Sequence, residues 1–347
     1  MKISVVITVR NEEGTIEDLL KSLLAQTLRP TDIVIADGGS TDRTPDLIRQ
    51  WITSGAPIRL VSCPGANIAA GRNRAVEAAS GDAIACTDAG VRLDPHWLER
   101  IVAPFRDGVD VSMGFFVADP RNTFERALGA TTLPDVDEID PDRFIPSSRS
   151  IAYTRHAWET VGGYPEWLDY CEDVVFDLAL RKAGLRFAWV PEAIVYFRPR
   201  ASVHAFFRQY YLYARGDGKA NLWPRRHAVR YLTYLVAPLV FIAGFWYNPA
   251  WLALVVGAST YLNRPYRRLW RRFRLTPGPS PSEMARGERV PTLPSIGDGE
   301  GGEGGEARAW LEVLALVPFL RAVGDVAKML GYPVGVWWRI RREGIGG

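Results

Sequence analysis

The chain is poor in cysteine and in lysine, and it lacks an unbroken apolar run of comfortable membrane-spanning length. Its three cysteines, Cys63, Cys86 and Cys171, form no Cys-x-x-Cys pair and lie in or beside segments whose apolar pattern predicts burial. That argues against a disulfide framework or a thiolate zinc site, and it suits a reducing compartment. Lysine supplies only five of the 42 basic residues, and the net charge is +3, so bulk electrostatics do not indicate a nucleic-acid partner. Met1-Lys2-Ile3-Ser4-Val5 runs directly into a strand pattern, without the apolar core and small-residue cleavage site of a signal peptide. The expectation is that the first domain stays on the cytoplasmic side.

What is present is 347 residues at 47% hydrophobic content, enough for one large domain and an appendage. Residues 1 to about 115 alternate apolar β-type runs with helical patterns. Strands are predicted over Ile3–Val9, Asp32–Asp37, Ile58–Cys63 and Ala83–Thr87. Helices are predicted over Thr15–Gln26, Thr44–Trp51, Ile68–Ala79 and Pro95–Phe105, the first with a Thr15/Asp18 capping box. Such alternation means an α/β fold with a mostly parallel sheet covered on both faces. Residues 109–155 read as a strand, a long irregular segment rich in Asp, Pro and Arg, and another short strand. A helix is predicted over Cys171–Ala183, short strands over Phe187–Val190 and Ile194–Phe197, and an aromatic helix over Val203–Arg215 ending at Gly216-Asp217-Gly218.

Composition changes near residue 225. Tyr231–Leu262 carries no charge and is interrupted by Trp246-Tyr247-Asn248-Pro249. Each half is short against the roughly 20 apolar residues a span needs. Arginines flank both ends, Arg225, Arg226 and Arg230 before and Arg264 to Arg274 after. The expectation is a hairpin, both ends cytoplasmic, that dips into or just crosses the bilayer; a buried soluble hairpin is the alternative. Residues 275–307, rich in Pro, Gly, Ser and Glu, are expected to be a disordered linker. Residues 308–347 are expected to form amphipathic interfacial helices, with Trp337, Trp338 and nearby arginines as anchors.

Four acidic positions bear on chemistry. Asp37 ends the second strand before Gly38-Gly39-Ser40, where an acid can accept hydrogen bonds from a nucleotide and glycines let a ligand approach the backbone. Taken alone, that pattern is more often a turn than a site. Asp88 follows the fourth strand in a small-residue turn, where one carboxylate can hold Mg²⁺ or Mn²⁺ with substrate phosphates and water; from residue types alone it reads equally as a turn residue. Asp94 before Pro95 reads as a helix cap rather than a ligand. Glu172-Asp173 opens a helix, where acids are common without catalysis, yet a general base could also sit there.

Taken in order, these motifs resemble a known family. Ser4–Glu12, Ser22–Thr27, Ile33–Asp42, Gly71-Arg72-Asn73, Ser80-Gly81-Asp82, Thr87–Gly90 and Cys171-Glu172-Asp173 are similar to family 2 glycosyltransferases of the GT-A fold, over about residues 3–220. Arg208–Gly218 is similar to a segment that follows the catalytic core in membrane-associated members. The resemblance implies that Val9, Arg10, Asn11, Glu12 and Asp37, with Gly38 and Gly39, bind the nucleoside. Arg72 and Asn73 would lie near the donor phosphates or sugar, and Asp88 would hold the divalent cation. Asp173 would be the base, with Glu172 beside it orienting donor or acceptor. Two departures stand out. The second acid of the family's Asp-x-Asp is Gly90 here, and Gln209-Tyr210-Tyr211-Leu212-Tyr213 lacks the Arg-Trp of processive synthases.

The resulting expectation is a Rossmann-like GT-A catalytic domain over 1–222, a hydrophobic hairpin over 223–274, the linker over 275–307 and interfacial helices over 308–347. The enzyme would be an inverting, metal-dependent, hexosyltransferase-like glycosyltransferase. It would move a sugar from a nucleotide sugar to a lipid-linked or cell-envelope glycan acceptor at the cytoplasmic membrane face. A sugar nucleotidyltransferase and a catalytically silent membrane scaffold are the rival readings.

Overall fold

The structure, a computed structural model, describes residues 1–274 and 303–345. In chain order the elements are β1 (Ile3–Val9), α1 (Ile16–Leu24), β2 (Asp32–Asp37), α2 (Thr44–Thr53), β3 (Ile58–Ser62), α3 (Ile68–Ala78), β4 (Ala83–Asp88), β5 (Val91–Leu93) and α4 (Trp97–Val102). There follow β6 (Val111–Ala118), α5 (Thr123–Thr132), β7 (Ile151–Thr154), α6 (Arg155–Val161), α7 (Glu172–Lys182) and β8 (Phe187–Phe197). The chain continues with α8 (Val203–Lys219), α9 (Pro224–Ala243), α10 (Pro249–Arg274) and α11 (Glu303–Ile345). It divides into two compact units, one of residues 1–117 and 136–197, the other of residues 118–135 and 198–347.

The first unit is an eight-stranded sheet in the order β3-β2-β1-β4-β7-β6-β8-β5. β3, β2, β1 and β4 are parallel, whereas β4–β7, β6–β7 and β5–β8 pair antiparallel. The near-continuous apolar runs are explained by burial on both faces. In β1, Val5, Ile7 and Val9 pack with Ile16, Leu19, Leu20, Leu23, Trp97 and Ile101 on one side. Val6, with Val34, Ile84 and Cys86, packs with Ala69, Val76, Tyr153, Tyr164 and Phe176 on the other. This two-residue alternation assigns each face a separate core.

Several local expectations change. Thr15 occupies the N-cap of α1 but makes no side-chain cap bond; its hydroxyl donates to Glu12 instead, at 2.5 Å. α4 starts at Trp97, two residues late, because Asp94 accepts from the His96 amide at 3.0 Å and from Arg100 at 3.2 Å. The two short strands expected over 187–197 are one strand, β8, that runs through Pro191. The irregular segment within 109–155 contains α5.

The second unit is helical, with a core of Ala127, Leu128, Ala130, Phe206, Leu269, Val313, Val317 and Leu320. The aromatic helix does not stop at Gly216; α8 continues to Lys219. The reason is its fit to α11. A Cβ on Gly218 would come 2.3 Å from the Tyr332 carbonyl oxygen, and Cβ atoms on Gly331 and Gly335 would come 2.1 Å from the carbonyl oxygens of Tyr211 and Arg215. The glycines thus allow two backbones to touch rather than ending a helix. The interfacial helices expected over 308–347 are part of one helix, α11, which also takes in residues 303–307 of the expected linker. The rest of that linker, 275–302, lies outside the described residues. The charge-free hairpin is α9 and α10 joined at Gly244–Asn248. No helix among the described residues is long and apolar enough to cross a membrane.

Candidate active site

Register places the first site residues. Val9 pairs with Asp37 across β1–β2, and Thr8 pairs with Asp88 across β1–β4. The carboxyl ends of three parallel strands therefore bring Val9, Asp37 and Asp88 to one edge, where such sheets receive ligands.

The loops after β1 and β2 hold each other. The Oδ1 of buried Asp37 accepts from the Ser40 amide at 2.9 Å and the Ser40 hydroxyl at 2.7 Å. The Gly38 amide donates to the Val9 carbonyl at 3.0 Å. Gly39 has φ +93°, and a side chain there would press on Pro64 at 3.2 Å. Asn11, at φ +57°, donates its amide to the Ser40 hydroxyl at 2.9 Å and accepts from the Thr41 amide at 2.8 Å. Glu12 donates its amide to Thr44 at 2.8 Å, and Arg10 is exposed. The result is a rigid, glycine-lined ledge.

Arg72 is the centre of the second group. It lies in α3 with a side chain only 2% exposed. Its Nη2 donates to Asp88 Oδ1 at 2.6 Å, its Nη1 donates to Glu172 Oε1, and its guanidinium lies 5.3 Å from the centre of the Tyr164 ring. Burial works against its charge, but Asp88 and Glu172 outweigh burial and hold it firmly protonated. Glu172, the first residue of α7, is nearly fully buried, and burial pushes its carboxyl up to about 7, with Asp173 adding to the rise and Arg72 opposing it. Asp173 follows, its Oδ1 accepting from the Val174 amide at 2.9 Å. Cys171 enters the helix at φ +64°, which turns the chain sharply into this acidic first turn.

Asn73 is placed differently from its neighbour. Its side-chain nitrogen donates to the Tyr164 carbonyl and to Glu166, both at 2.9 Å. Its oxygen accepts from the Tyr164 amide at 2.8 Å and from Trp158 at 3.2 Å. Both donors and both acceptor positions are engaged, so Asn73 supports the Gly163–Glu166 turn that carries Tyr164.

Three residues of the site are not marked by the sequence motifs. Arg149 places its Nε 3.6 Å from Asp88 Oδ2, and its guanidinium lies 4.4 Å from the Phe197 ring centre and 5.3 Å from that of Phe116. Tyr164 lies under Arg72. Asp177, one turn beyond Asp173, is fully buried with neither carboxylate oxygen hydrogen-bonded among the described residues. Burial, then the charge of Asp173, raises its pKa well above the usual carboxylate range, so it is held neutral. Spacing four residues from Asp173 was the available signal for Asp177; nothing in the pattern marked Arg149.

The donor set around Asp88 limits the kind of cation site it can form. Among the described residues no group of three His, Cys, Asp or Glu could hold a metal. Gly90 sits at φ +73°, a left-handed conformation that favours glycine, so this turn offers no second acid. A hard divalent cation needs only one or two carboxylates when substrate phosphates and water complete its shell. Asp88, one-fifth exposed, fits that weaker kind of site.

The chain is similar to known glycosyltransferases. The profile of "Glycosyl transferase family 2" matches residues 4–158. Succinoglycan biosynthesis protein ExoA of Rhizobium meliloti (strain 1021) is 30% identical over 262 residues, 68% of this chain and 76% of ExoA. The putative glycosyltransferase EpsH of Bacillus subtilis (strain 168) is 27% identical over 35% of each chain. Among solved structures, mannosyltransferase PcManGT of Pyrobaculum calidifontis, in complex with GDP-Man and Mn²⁺, superposes with a TM-score of 0.54 at 17% identity, covering 97% of this chain and 87% of that one.

Proposed function

Because the chain belongs to glycosyl transferase family 2, we propose that it is an inverting, metal-dependent enzyme acting on a lipid-linked or cell-envelope glycan acceptor at the cytoplasmic membrane face. The plain part of that statement is a glycosyltransferase of GT-A fold that takes its sugar from a nucleotide-sugar donor. The inverting, metal-dependent chemistry is supported by one observation: Arg72 ties the metal candidate Asp88 to Glu172, next to Asp173, at the carboxyl ends of the parallel strands.

In this reading the Val9–Glu12 turn and Asp37, with Gly38 and Gly39, take the nucleoside. Asp37 keeps its Oδ2 outside the hydrogen bonds of its own loop. Asp88 holds Mg²⁺ or Mn²⁺. When bound, such a cation would offset the charge developing on the departing nucleoside diphosphate. Arg72 fixes Asp88 and Glu172 relative to one another, and Asn73 acts through the turn that carries Tyr164. Asp173 removes the proton from the acceptor hydroxyl. The new bond from that oxygen to the anomeric carbon forms as the bond to the donor phosphate breaks on the opposite face, which inverts the centre. One base suffices, unlike the two flanking carboxylates of a glycosidase. The mannosyltransferase solved with GDP-Man and Mn²⁺ supports the donor class and the cation.

Support for the membrane part comes from the second unit. Leu235, Leu239, Phe245, Leu252 and Val255 are each at least 60% exposed, and Trp246 is 82% exposed. No acidic residue occurs from Gly218 to Arg274, while Arg225, Arg226, Arg264 and Arg267 flank the apolar stretch. An exposed apolar surface with a basic border suits an anionic lipid surface.

The test is sugar transfer and donor hydrolysis with Mg²⁺ or Mn²⁺, comparing wild type with Asp173→Asn and Asp88→Ala. Losses of about 100-fold or more are expected for each variant. Equal rates in all three would overturn the site assignment.

A further inference from the structure

We propose that Arg149 is a donor-phosphate ligand held in reserve on Asp88: it leaves the carboxylate for the diphosphate of the nucleotide sugar when a divalent cation takes Asp88. The proposal rests on the nucleotide-sugar reading of this site and assigns a residue that reading does not use.

The two arginines around Asp88 differ in kind. Arg72 is committed. It is buried, each terminal nitrogen donates to a different carboxylate, and Tyr164 lies under the guanidinium. Turning it toward a phosphate would strand Glu172, a buried acid, without its counter-charge. Arg72 therefore organises the site but is poorly placed to follow a ligand.

Arg149 is set for exchange. Its Nε stands 3.6 Å from Asp88 Oδ2, an ion pair longer than a hydrogen bond. Phe197 and Phe116 hold the guanidinium through their ring faces. Such stacking fixes position without consuming N–H donors, and the planar fork of arginine suits phosphate oxygens. Its Nη1 donates to the hydroxyl of nearby Ser147 at 3.2 Å, a bond local to its own loop. On this proposal the guanidinium keeps its ring contacts as it releases the carboxylate.

Competition for Asp88 follows. A cation needs the oxygens of Asp88, and Asp88 is the acid the β4–β5 turn provides. With no second acid at Gly90, the cation must displace the Arg149 charge from Oδ2. A diphosphate makes that displacement favourable by receiving both the cation and the guanidinium. Cation and nucleotide should therefore bind together, with Arg149 carrying part of their coupling.

The experiment uses the full chain, with wild type, Arg149→Ala and Arg149→Lys checked for equal thermal unfolding without ligand. UDP, GDP and dTDP are screened with Mn²⁺, and the diphosphate that binds is carried forward with its nucleoside. Calorimetry then measures Mn²⁺ alone, the nucleoside, and the diphosphate with Mn²⁺. Arg149→Ala is expected to weaken the diphosphate by about tenfold or more, the effect of losing a charge-assisted contact. It should leave the nucleoside unchanged and bind Mn²⁺ alone more tightly than wild type. Arg149→Lys, which keeps the charge but loses the planar fork, should fall between. Unchanged diphosphate affinity in Arg149→Ala, or unchanged affinity for Mn²⁺ alone, overturns the exchange. Wild type binding none of the three diphosphates instead overturns the nucleotide-sugar reading itself.

Discussion

Glu172 and Asp173 are adjacent in sequence but differ in burial, and that difference has a measurable pH signature. The Glu172 carboxyl holds its proton up to about 7 in the folded protein because burial disfavours the charged form, against 4.5 in an open chain. Between those values the folded state binds more protons than the unfolded one, so stability falls as pH rises through the window and levels off above it. The slope attributable to Glu172 amounts to about 2–3 kcal/mol across the window. Glu172→Gln is expected to lower overall stability through loss of the Arg72 pair, but to flatten that slope. Urea midpoints measured from pH 4.5 to 8 for both proteins check this; parallel curves would contradict it. The same residues explain what could be read in advance. Asp37, Asp88 and Glu172-Asp173 stand at the ends of elements with clear apolar periods, so their common edge was legible. Arg72 and Asn73 belong to one sequence motif, yet consecutive helical residues point in directions about 100° apart. One meets Asp88 and the other meets the Tyr164 backbone. Arg149 lies in a stretch with no period to orient it, and its placement depends on Phe116 and Phe197, which are distant in sequence.

At the scale of elements, the parallel strands were the readable part because near-continuous apolar runs admit few other structures. The helical unit was less so. Gly216-Asp217-Gly218 has the composition of a helix stop, and only the neighbour explains why α8 runs on: α11 lies against it through glycine on both sides. Local sequence carries the propensity, but not the partner that overrides it. Gly335→Ala places a Cβ 2.1 Å from the Arg215 carbonyl oxygen, a backbone atom that has little freedom to yield. The expected loss is about 2–3 kcal/mol. Gly257→Ala on α10 is the control. No atom lies within 4 Å of the added Cβ, and alanine is the better helix former, so a gain of about 0.5–1 kcal/mol is expected. Chemical denaturation of both variants checks the pair, and equal effects would refute the close-packing account.

For the whole molecule, the division into a sheet unit and a helical unit separates two kinds of surface. The helical unit carries most of the large exposed apolar side chains, on α9, α10 and one side of α11, where Leu311, Leu330, Trp337 and Ile340 are all more than half exposed. Flotation with phosphatidylcholine vesicles, with and without phosphatidylglycerol, tests what this surface meets. Wild type is expected to float, more strongly with the anionic lipid. Phe245→Glu with Trp246→Glu should cut binding to both vesicle types by about tenfold or more. Arg264→Glu with Arg267→Glu should cut only the anionic increment, and added salt should mimic that change. Recovery unaffected by either pair would argue against a lipid surface. The seam between α8 and α11 also sets an order of events during synthesis. The last residue of the sheet unit, Phe197, leaves the ribosome about 150 residues ahead of Ile345, the end of α11. At usual elongation rates that interval is roughly 7 to 30 seconds. Over the later part of that interval the nascent chain holds the sheet unit and the apolar hairpin, while the glycine flank of α8 still lacks its partner. Cover for the exposed apolar hairpin during that interval, from a bilayer or a chaperone, is expected to lower aggregation of the nascent chain.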